Sequence, residues 1–178
     1  MLEEYKNNGQ LKIYLASPFF TSEQIERITF VEKIVCEKFD VFSPRMSSQI
    51  TKNSTQADLL RTFNGDISHI DDADFLVAIL DGHDTGTIFE CGYSYSKNTP
   101  ILYFNETREK GPNLMLAMSG KLPFITKTST INSIFKDTSF TDVQAGPRDI
   151  LITSLDYIYN NGLEKVINNT KNIFNEVE

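Results

Sequence analysis

The chain has 178 residues, 40% of them hydrophobic, which is enough to bury a core as a single globular domain. With 24 acidic residues against 17 basic ones, its formal net charge of -7 argues against a nucleic-acid polymer as a partner. The charged and polar start excludes a signal peptide, and no apolar run reaches membrane-spanning length. We therefore expect a cytoplasmic protein with no membrane partner.

The first part of the chain predicts a strand, a helix and a second strand. The apolar run at 11–16 predicts a strand in which Tyr14 is the polar member. A capping box at Thr21 begins a helix that the apolar spacing extends through Lys38. Residues 40–42 predict a short second strand, and the polar segment 45–54 predicts a loop of the kind that often acts as a lid.

A second helix is predicted after this loop, with Thr55 as its N-cap. Its apolar residues recur at helical spacing and predict a buried stripe, beside which lies Asp66. The stripe comprises Leu59, Leu60, Phe63, Ile67 and Ile70.

The middle of the chain continues the alternation of strands and helices. Residues 75–80 predict a buried strand, 87–97 a helix and 101–104 a fourth strand. A short helix from Asn113 and a fifth strand at 122–125 follow. This order predicts an α/β fold: a doubly wound parallel sheet of the flavodoxin or Rossmann type, with about five strands and helices on both faces.

The last part of the chain predicts helices that begin at Pro147 and after Gly162. They form a C-terminal helical extension of about 148–178. No linker or repeat separates this extension, so we expect one domain spanning 1–178.

The stretch 81–93 joins the third strand to the next helix and holds three acidic residues and three glycines. Such a strand end is where α/β proteins usually bind ligands. The glycines do not form a G-x-G-x-x-G pattern, and Asp81 and Asp84 would repel a phosphate. Carboxylates in this place favour a neutral polyol such as a sugar, whose hydroxyls donate to them.

The local sequence is compatible with two roles for Glu90. Thr87 and Glu90 have capping-box spacing, so the glutamate could accept the Thr87 backbone amide. Alternatively, a carboxylate kept ionised by the helix dipole can attack an anomeric carbon and form a covalent glycosyl ester. That mechanism also needs an acid for the leaving group, for which Asp66 and Asp84 are candidates.

Other side chains give weaker signals. Phe19 and Phe20 follow the first strand at the same sheet edge; Phe20 is the better candidate to cover a planar ligand, and Phe19 is expected to pack. The two histidines, His69 and His83, have no metal-ligand spacing. The cysteines, Cys36 and Cys91, have none either and predict reduced thiols, so we expect neither a metal nor a cofactor.

In their order and spacing, these motifs resemble the nucleoside 2-deoxyribosyltransferase family over roughly residues 11 to 118. The segments that carry the resemblance are 13–20, Gly65-Asp66-Ile67 with Asp74, 84–93, and Asn113-Leu114-Met115.

The resemblance implies three catalytic residues. Glu90 falls where the family has the nucleophile that attacks C1′ of a 2′-deoxynucleoside and holds the sugar as an ester. Tyr14 matches the tyrosine that orients this carboxylate, and Asp66 matches the aspartate that meets the base and shuttles its proton. The implied partners are 2′-deoxynucleosides and free nucleobases.

The resemblance also implies residues that bind the substrate. Asp84 matches a ligand of a sugar hydroxyl, and Phe20 matches an aromatic that lies against the base. Asn113, at the 5′-hydroxyl, and Met115 match residues that reach into a neighbouring subunit's site. The active form is therefore expected to be a dimer-based homo-oligomer, a hexamer or a tetramer.

The expected function is exchange of bases on 2′-deoxyribose by a ping-pong route in nucleoside salvage. One alternative on the same fold is a hydrolase of 2′-deoxynucleoside 5′-monophosphates, for which Arg45 would supply the phosphate-binding cation. Another alternative is a nucleotide sensor that binds without turnover.

Overall fold

The computed structural model describes residues 10–47, 50–108, 113–137, 140 and 145–171. They form a five-stranded sheet in the order β2-β1-β3-β4-β5, in which every neighbouring pair is parallel. The strands are β1 (Lys12–Ala16), β2 (Asp40–Phe42), β3 (Phe75–Ile79), β4 (Ile101–Phe104) and β5 (Phe124–Ile125). This order is that of flavodoxin-like sheets, so the predicted doubly wound α/β fold is confirmed.

The connections between strands are helical. The helices are α1 (Ser22–Cys36), α2 (Pro44–Ser47), α3 (Gln56–Asp71), α4 (Thr85–Ser96), α5 (Leu114–Ser119), α6 (Ile131–Ile134), α7 (Pro147–Asn161) and α8 (Leu163–Asn169). Thr21 caps α1 through the predicted capping box. The part 172–178 of the predicted C-terminal extension lies outside the described residues.

The predicted loop at 45–54 is wrong in its first part, because α2 occupies it. Pro44 begins this helix, where its missing N–H costs no hydrogen bond. Arg45 then donates to the buried carboxylate of Glu32 on α1 and so ties α2 to the body of the protein. Positions 48 and 49 lie outside the described residues.

Side chains alternate between the two faces of the sheet and build two cores. On β1, Ile13 and Leu15 belong to a core that α1 and α7 cover, whereas Tyr14 and Ala16 belong to a core that α3 and α4 cover. The helix α7 of the C-terminal extension is therefore part of the main core rather than an appendage.

The predicted buried stripe of α3 is wrong. Leu59, Leu60 and Phe63 are 48%, 59% and 51% exposed, and Ile70 is the stripe residue that is buried. Helical spacing fixes which residues share a face, but it does not say what covers that face. The ring of Phe63 lies 6.2 Å from that of Phe89 on α4, itself 52% exposed. These four residues form an outward apolar surface, which we call the α3–α4 face.

No helix in the described ranges is both long and apolar enough to cross a membrane.

Candidate active site

The candidate site lies where the order of the strands in the sheet reverses. From β1 the chain moves to β2 on one side and then returns to β3 on the other, which opens a crevice at the carboxyl ends of β1 and β3. Tyr14 reaches this crevice from β1, and Glu90 reaches it from α4. The Tyr14 hydroxyl donates a hydrogen bond of 2.6 Å to Oε1 of Glu90.

This contact depends on how α4 begins. Its N-cap is Asp84, whose Oδ2 accepts the Thr87 N–H at 2.8 Å and the Thr87 hydroxyl at 3.2 Å. The predicted capping box between Thr87 and Glu90 is therefore wrong, because aspartate three residues earlier satisfies the same amide. Glu90 falls in the second turn of the helix and is left to bond Tyr14.

Burial has the largest effect on the pKa of Glu90. It raises the pKa of this carboxyl from an ordinary 4.5 to about 7, against the hydrogen bond from Tyr14, which lowers it. The negative charges of Asp66 and Asp84 raise it further. The helix dipole was expected to keep Glu90 ionised, but burial outweighs it, so the carboxyl exchanges its proton near neutral pH.

Tyr14 is fully buried. Burial, followed by the adjacent Glu90 carboxylate, raises the pKa of the phenol far above its ordinary range. Tyr14 therefore stays protonated and acts as a hydrogen-bond donor to Glu90.

Asp66 presents an unsatisfied acceptor. Its Oδ1 atom is buried and has no hydrogen-bond partner within the described part of the chain. Burial raises the pKa of Asp66, and the charge of His69, one turn later on α3, acts in the opposite direction. A buried acceptor of this kind has a free-energy cost unless a ligand or water completes it.

Asp81 has a structural role. Its buried carboxylate accepts the N–H of Glu106 at 2.8 Å, the N–H of Thr107 at 3.0 Å and the Thr107 hydroxyl at 2.6 Å, and Arg27 lies 3.6 Å away. These bonds join the ends of β3 and β4. Of the acidic residues that suggested a sugar site, Asp81 is thus committed to the fold, a role that no local sequence signal revealed.

The loop after β1 is held in place by Gln24. Its side-chain oxygen accepts the N–H of Phe20 at 2.8 Å. Its nitrogen lies so close to Gly82, which has φ 93, that a Cβ there would come within 2.7 Å. Phe20 is 70% exposed and stacks on Phe19 at 5.1 Å, while Phe19 packs against the core as expected.

Asn113 and Met115 lie at the start of α5. The side-chain oxygen of Asn113 accepts the Leu116 N–H and caps α5, and Met115 is 78% exposed. Within the described residues no hydrogen bond joins either of them to Glu90. Hydrogen bonding and electrostatic interaction thus link Tyr14, Asp66 and Asp84 to Glu90 within one chain.

Arg45 and Cys91 do not offer a free cation or a reactive thiol. Arg45 donates to Glu32 and to the Thr29 hydroxyl, so its charge is already compensated. Burial raises the pKa of the Cys91 thiol to about 12, which keeps it unreactive. Among the residues with described positions, no group of three or more His, Cys, Asp or Glu side chains is arranged to hold a metal ion.

Known proteins resemble this chain in sequence and in fold. Residues 13–137 match the family described as "Nucleoside 2-deoxyribosyltransferase". A solved structure of a 2-deoxyribosyltransferase from Bacillus psychrosaccharolyticus is 35% identical, with a TM-score of 0.58 over 62% of this chain and 83% of that one.

Two further matches are weaker. An uncharacterized protein from Ureaplasma parvum serovar 3 is 30% identical over 94 residues, which cover 47% of this chain and 59% of the relative. The match thus spans less than two thirds of that curated relative. A CMP N-glycosidase from Clostridium botulinum has a TM-score of 0.52 over 82% of this chain and 98% of its own, but at 15% identity the likeness shows the fold alone.

Proposed function

Since the chain belongs to the nucleoside 2-deoxyribosyltransferase family, we propose that it transfers 2-deoxyribose between purine or pyrimidine bases in nucleoside salvage. The observation that carries this proposal is the hydrogen bond of 2.6 Å between Tyr14 and Glu90 in a crevice that also holds Asp66. A half-buried carboxylate held by a protonated phenol is suited to nucleophilic attack on an anomeric carbon.

In the first half-reaction, a carboxylate oxygen of Glu90 forms a bond to C1′ of the deoxynucleoside. The bond between C1′ and the base nitrogen breaks, and its electron pair leaves with the base. The base takes a proton from Asp66, whose raised pKa makes the protonated form available. The sugar then remains on Glu90 as a deoxyribosyl ester.

In the second half-reaction, a nitrogen of the incoming base forms the new bond to C1′. The ester bond to Glu90 breaks, and its electron pair restores the carboxylate. The proton that the incoming base loses returns to Asp66, so both groups regain their starting states. Throughout, Tyr14 fixes one oxygen of Glu90 and leaves the other for C1′.

Asp84 and Phe20 are the proposed substrate contacts from the same chain. Both hydrogen bonds that Asp84 accepts from Thr87 use Oδ2, which leaves Oδ1 for a sugar hydroxyl. Phe20 offers an exposed ring at the sheet edge for stacking on a planar base.

We propose that the active form is a homo-oligomer in which Asn113 and Met115 complete the site of a neighbouring subunit. The α3–α4 face supports association, because four large apolar side chains on two adjacent helices are exposed together. On α5, Met115 and Met118 are 78% and 54% exposed and add apolar surface that is open to a neighbouring subunit.

A hydrolase of 2′-deoxynucleoside 5′-monophosphates is the rival on this fold. The arginine that would serve it, Arg45, is bound to Glu32 and Thr29 in the structure, which weighs against that activity.

One assay separates the proposed transfer from its alternatives. The protein is incubated with 2′-deoxyinosine and adenine or cytosine, and separately with a 2′-deoxynucleoside 5′-monophosphate alone, and products are resolved by chromatography. We expect a new deoxynucleoside in the first mixture. Free base from the monophosphate alone would favour the hydrolase, and no product in either mixture would favour a sensor that binds without turnover.

The pH dependence of the first half-reaction should report the ionisation of Glu90. Because the pKa of Glu90 is about 7 and the carboxylate is the active form, kcat/KM should fall about tenfold per pH unit below that value. In Tyr14→Phe, loss of the hydrogen bond that lowers this pKa should move the acidic limb to higher pH. Activity at pH 7 should then fall by about tenfold or more.

The matched control is Tyr159→Phe, which removes a hydroxyl from an exposed tyrosine on α7. It should leave the pH profile unchanged. An acidic limb that stays in place in Tyr14→Phe would contradict the assigned role of the phenol.

A further inference from the structure

The position of Asp66 depends on few contacts. Its Oδ1 makes no hydrogen bond to the described part of the chain, and Ile70 is the buried residue of α3. The apolar side chains of the first half of α3 point outward in the α3–α4 face. The second half of the helix holds its buried residue, Ile70, and the side-chain contacts of α3 with α4 and with the sheet.

One of these contacts joins α3 to α4. Asp71, the last residue of α3, accepts from the Tyr93 hydroxyl at 3.0 Å and pairs with Lys97 at 2.9 Å. These bonds are exposed and hold the end of the helix, more than one turn beyond Asp66.

The second contact joins α3 to the sheet. The imidazole of His69 lies flat on the ring of Phe42, with centroids 3.6 Å apart and planes 16° from parallel. Phe42 on β2 is in register with Tyr14 on β1, and their rings stack at 5.5 Å. The rings of His69, Phe42 and Tyr14 thus form one continuous aromatic stack from α3 to the phenol that bonds Glu90.

We infer that the aromatic stack of His69 on Phe42 is a positioning device that sets the turn of α3 carrying Asp66 against Tyr14 and Glu90. His69 lies three residues after Asp66, so the two side chains are neighbours on the helix surface. Fixing the imidazole on Phe42 fixes the rotation of that turn and hence the direction of the Asp66 carboxyl. Neither His69 nor Phe42 needs to touch the substrate.

This inference rests on the proposed function, in which Asp66 protonates the departing base. It predicts a dependence on the leaving group. Release of hypoxanthine from 2′-deoxyinosine needs that proton, whereas 7-methyl-2′-deoxyguanosine carries a cationic base that departs without one. A displaced Asp66 should therefore slow the first substrate far more than the second.

The test measures base release from both substrates by the full-length protein and by two variants. His69→Ala removes the stack and should slow release from 2′-deoxyinosine by about tenfold or more, with less than about a threefold effect on the cationic substrate. His69→Phe keeps a flat ring against Phe42 and should restore most of the wild-type rate. Thermal unfolding of each variant checks that it is folded.

Each other outcome overturns the inference. An equal loss on both substrates would mean that His69→Ala loosens the whole site, and an unchanged rate on 2′-deoxyinosine would mean that the stack does not place Asp66. Failure of His69→Phe to restore the rate would show that a flat ring on Phe42 is not what places Asp66. If wild-type protein releases base from neither substrate, the proposed function itself fails, before the variants are compared.

Discussion

Glu90→Gln should reduce base exchange by at least about a thousandfold, the largest loss expected for any single substitution in this chain. The amide has no negative oxygen with which to form the bond to C1′, yet it has the same shape and can still accept the hydrogen bond from Tyr14. The measurement is the initial rate of deoxynucleoside formation from 2′-deoxyinosine and adenine. Mass spectrometry of wild-type protein mixed with substrate alone should show the added mass of one deoxyribosyl group, and the variant should lack it.

The same variant should be more stable than the wild type at alkaline pH. The folded-state pKa of Glu90 is about 7, above its ordinary 4.5, so the folded protein binds the proton more tightly than the unfolded chain. Wild-type stability therefore falls as pH rises from the lower value to the higher one. At pH 8 the substitution should recover up to about 3 kcal/mol of unfolding free energy, and below pH 4.5 it should recover little.

Urea unfolding at the two pH values measures this effect. Glu164→Gln, at an exposed glutamate in the first turn of α8, is the matched control; it should leave activity unchanged and should not stabilise the protein at either pH, because its charge favours the helix N-terminus. A Glu90→Gln variant that is inactive but less stable at pH 8 would indicate lost structure rather than a lost nucleophile. A folded variant that keeps most of its activity would remove Glu90 from the mechanism.

The fold could be predicted from the sequence because each strand of the sheet is a short apolar run bounded by residues that interrupt secondary structure. The hydrogen bond between Tyr14 and Glu90 could not be predicted in this way, since 76 positions separate the two residues and no local pattern connects them. Only the rule that parallel strand ends share one edge of a sheet placed both near one crevice, and the family resemblance supplied the pairing.

The buried stripe predicted for α3 and the capping box predicted for Glu90 failed for a common physical reason. Spacing assigned Leu59, Leu60 and Phe63 to one side of α3 correctly, but a sequence does not reveal whether the body of the same chain covers that side. Likewise, Glu90 and Asp84 compete for the backbone amide of Thr87, and geometry at the end of β3 decides in favour of Asp84. The outward apolar side of α3 is consistent with the proposal that a second copy of the chain covers it.

The proposal that Asn113 acts in a neighbouring site predicts complementation between two inactive proteins. Glu90→Gln lacks the nucleophile but keeps Asn113, and Asn113→Ser keeps the nucleophile but loses the longer side chain. Serine is chosen because its hydroxyl can still cap α5 by accepting the Leu116 N–H, so the helix should survive. The two variants are produced together with different affinity tags, so that mixed oligomers can be isolated.

In a symmetric dimer of the two variants, one site combines Glu90 from one subunit with Asn113 from the other, and the second site lacks both. Because half of randomly formed dimers are mixed, the preparation should regain about a quarter of wild-type activity, and purified mixed dimers should regain about half. If Asn113 served the site of its own chain, every mixed site would lack one of the two residues, and no activity would return. Mixed dimers without activity would therefore place Asn113 outside its neighbour's site, whereas recovery would assign Asn113 to that site.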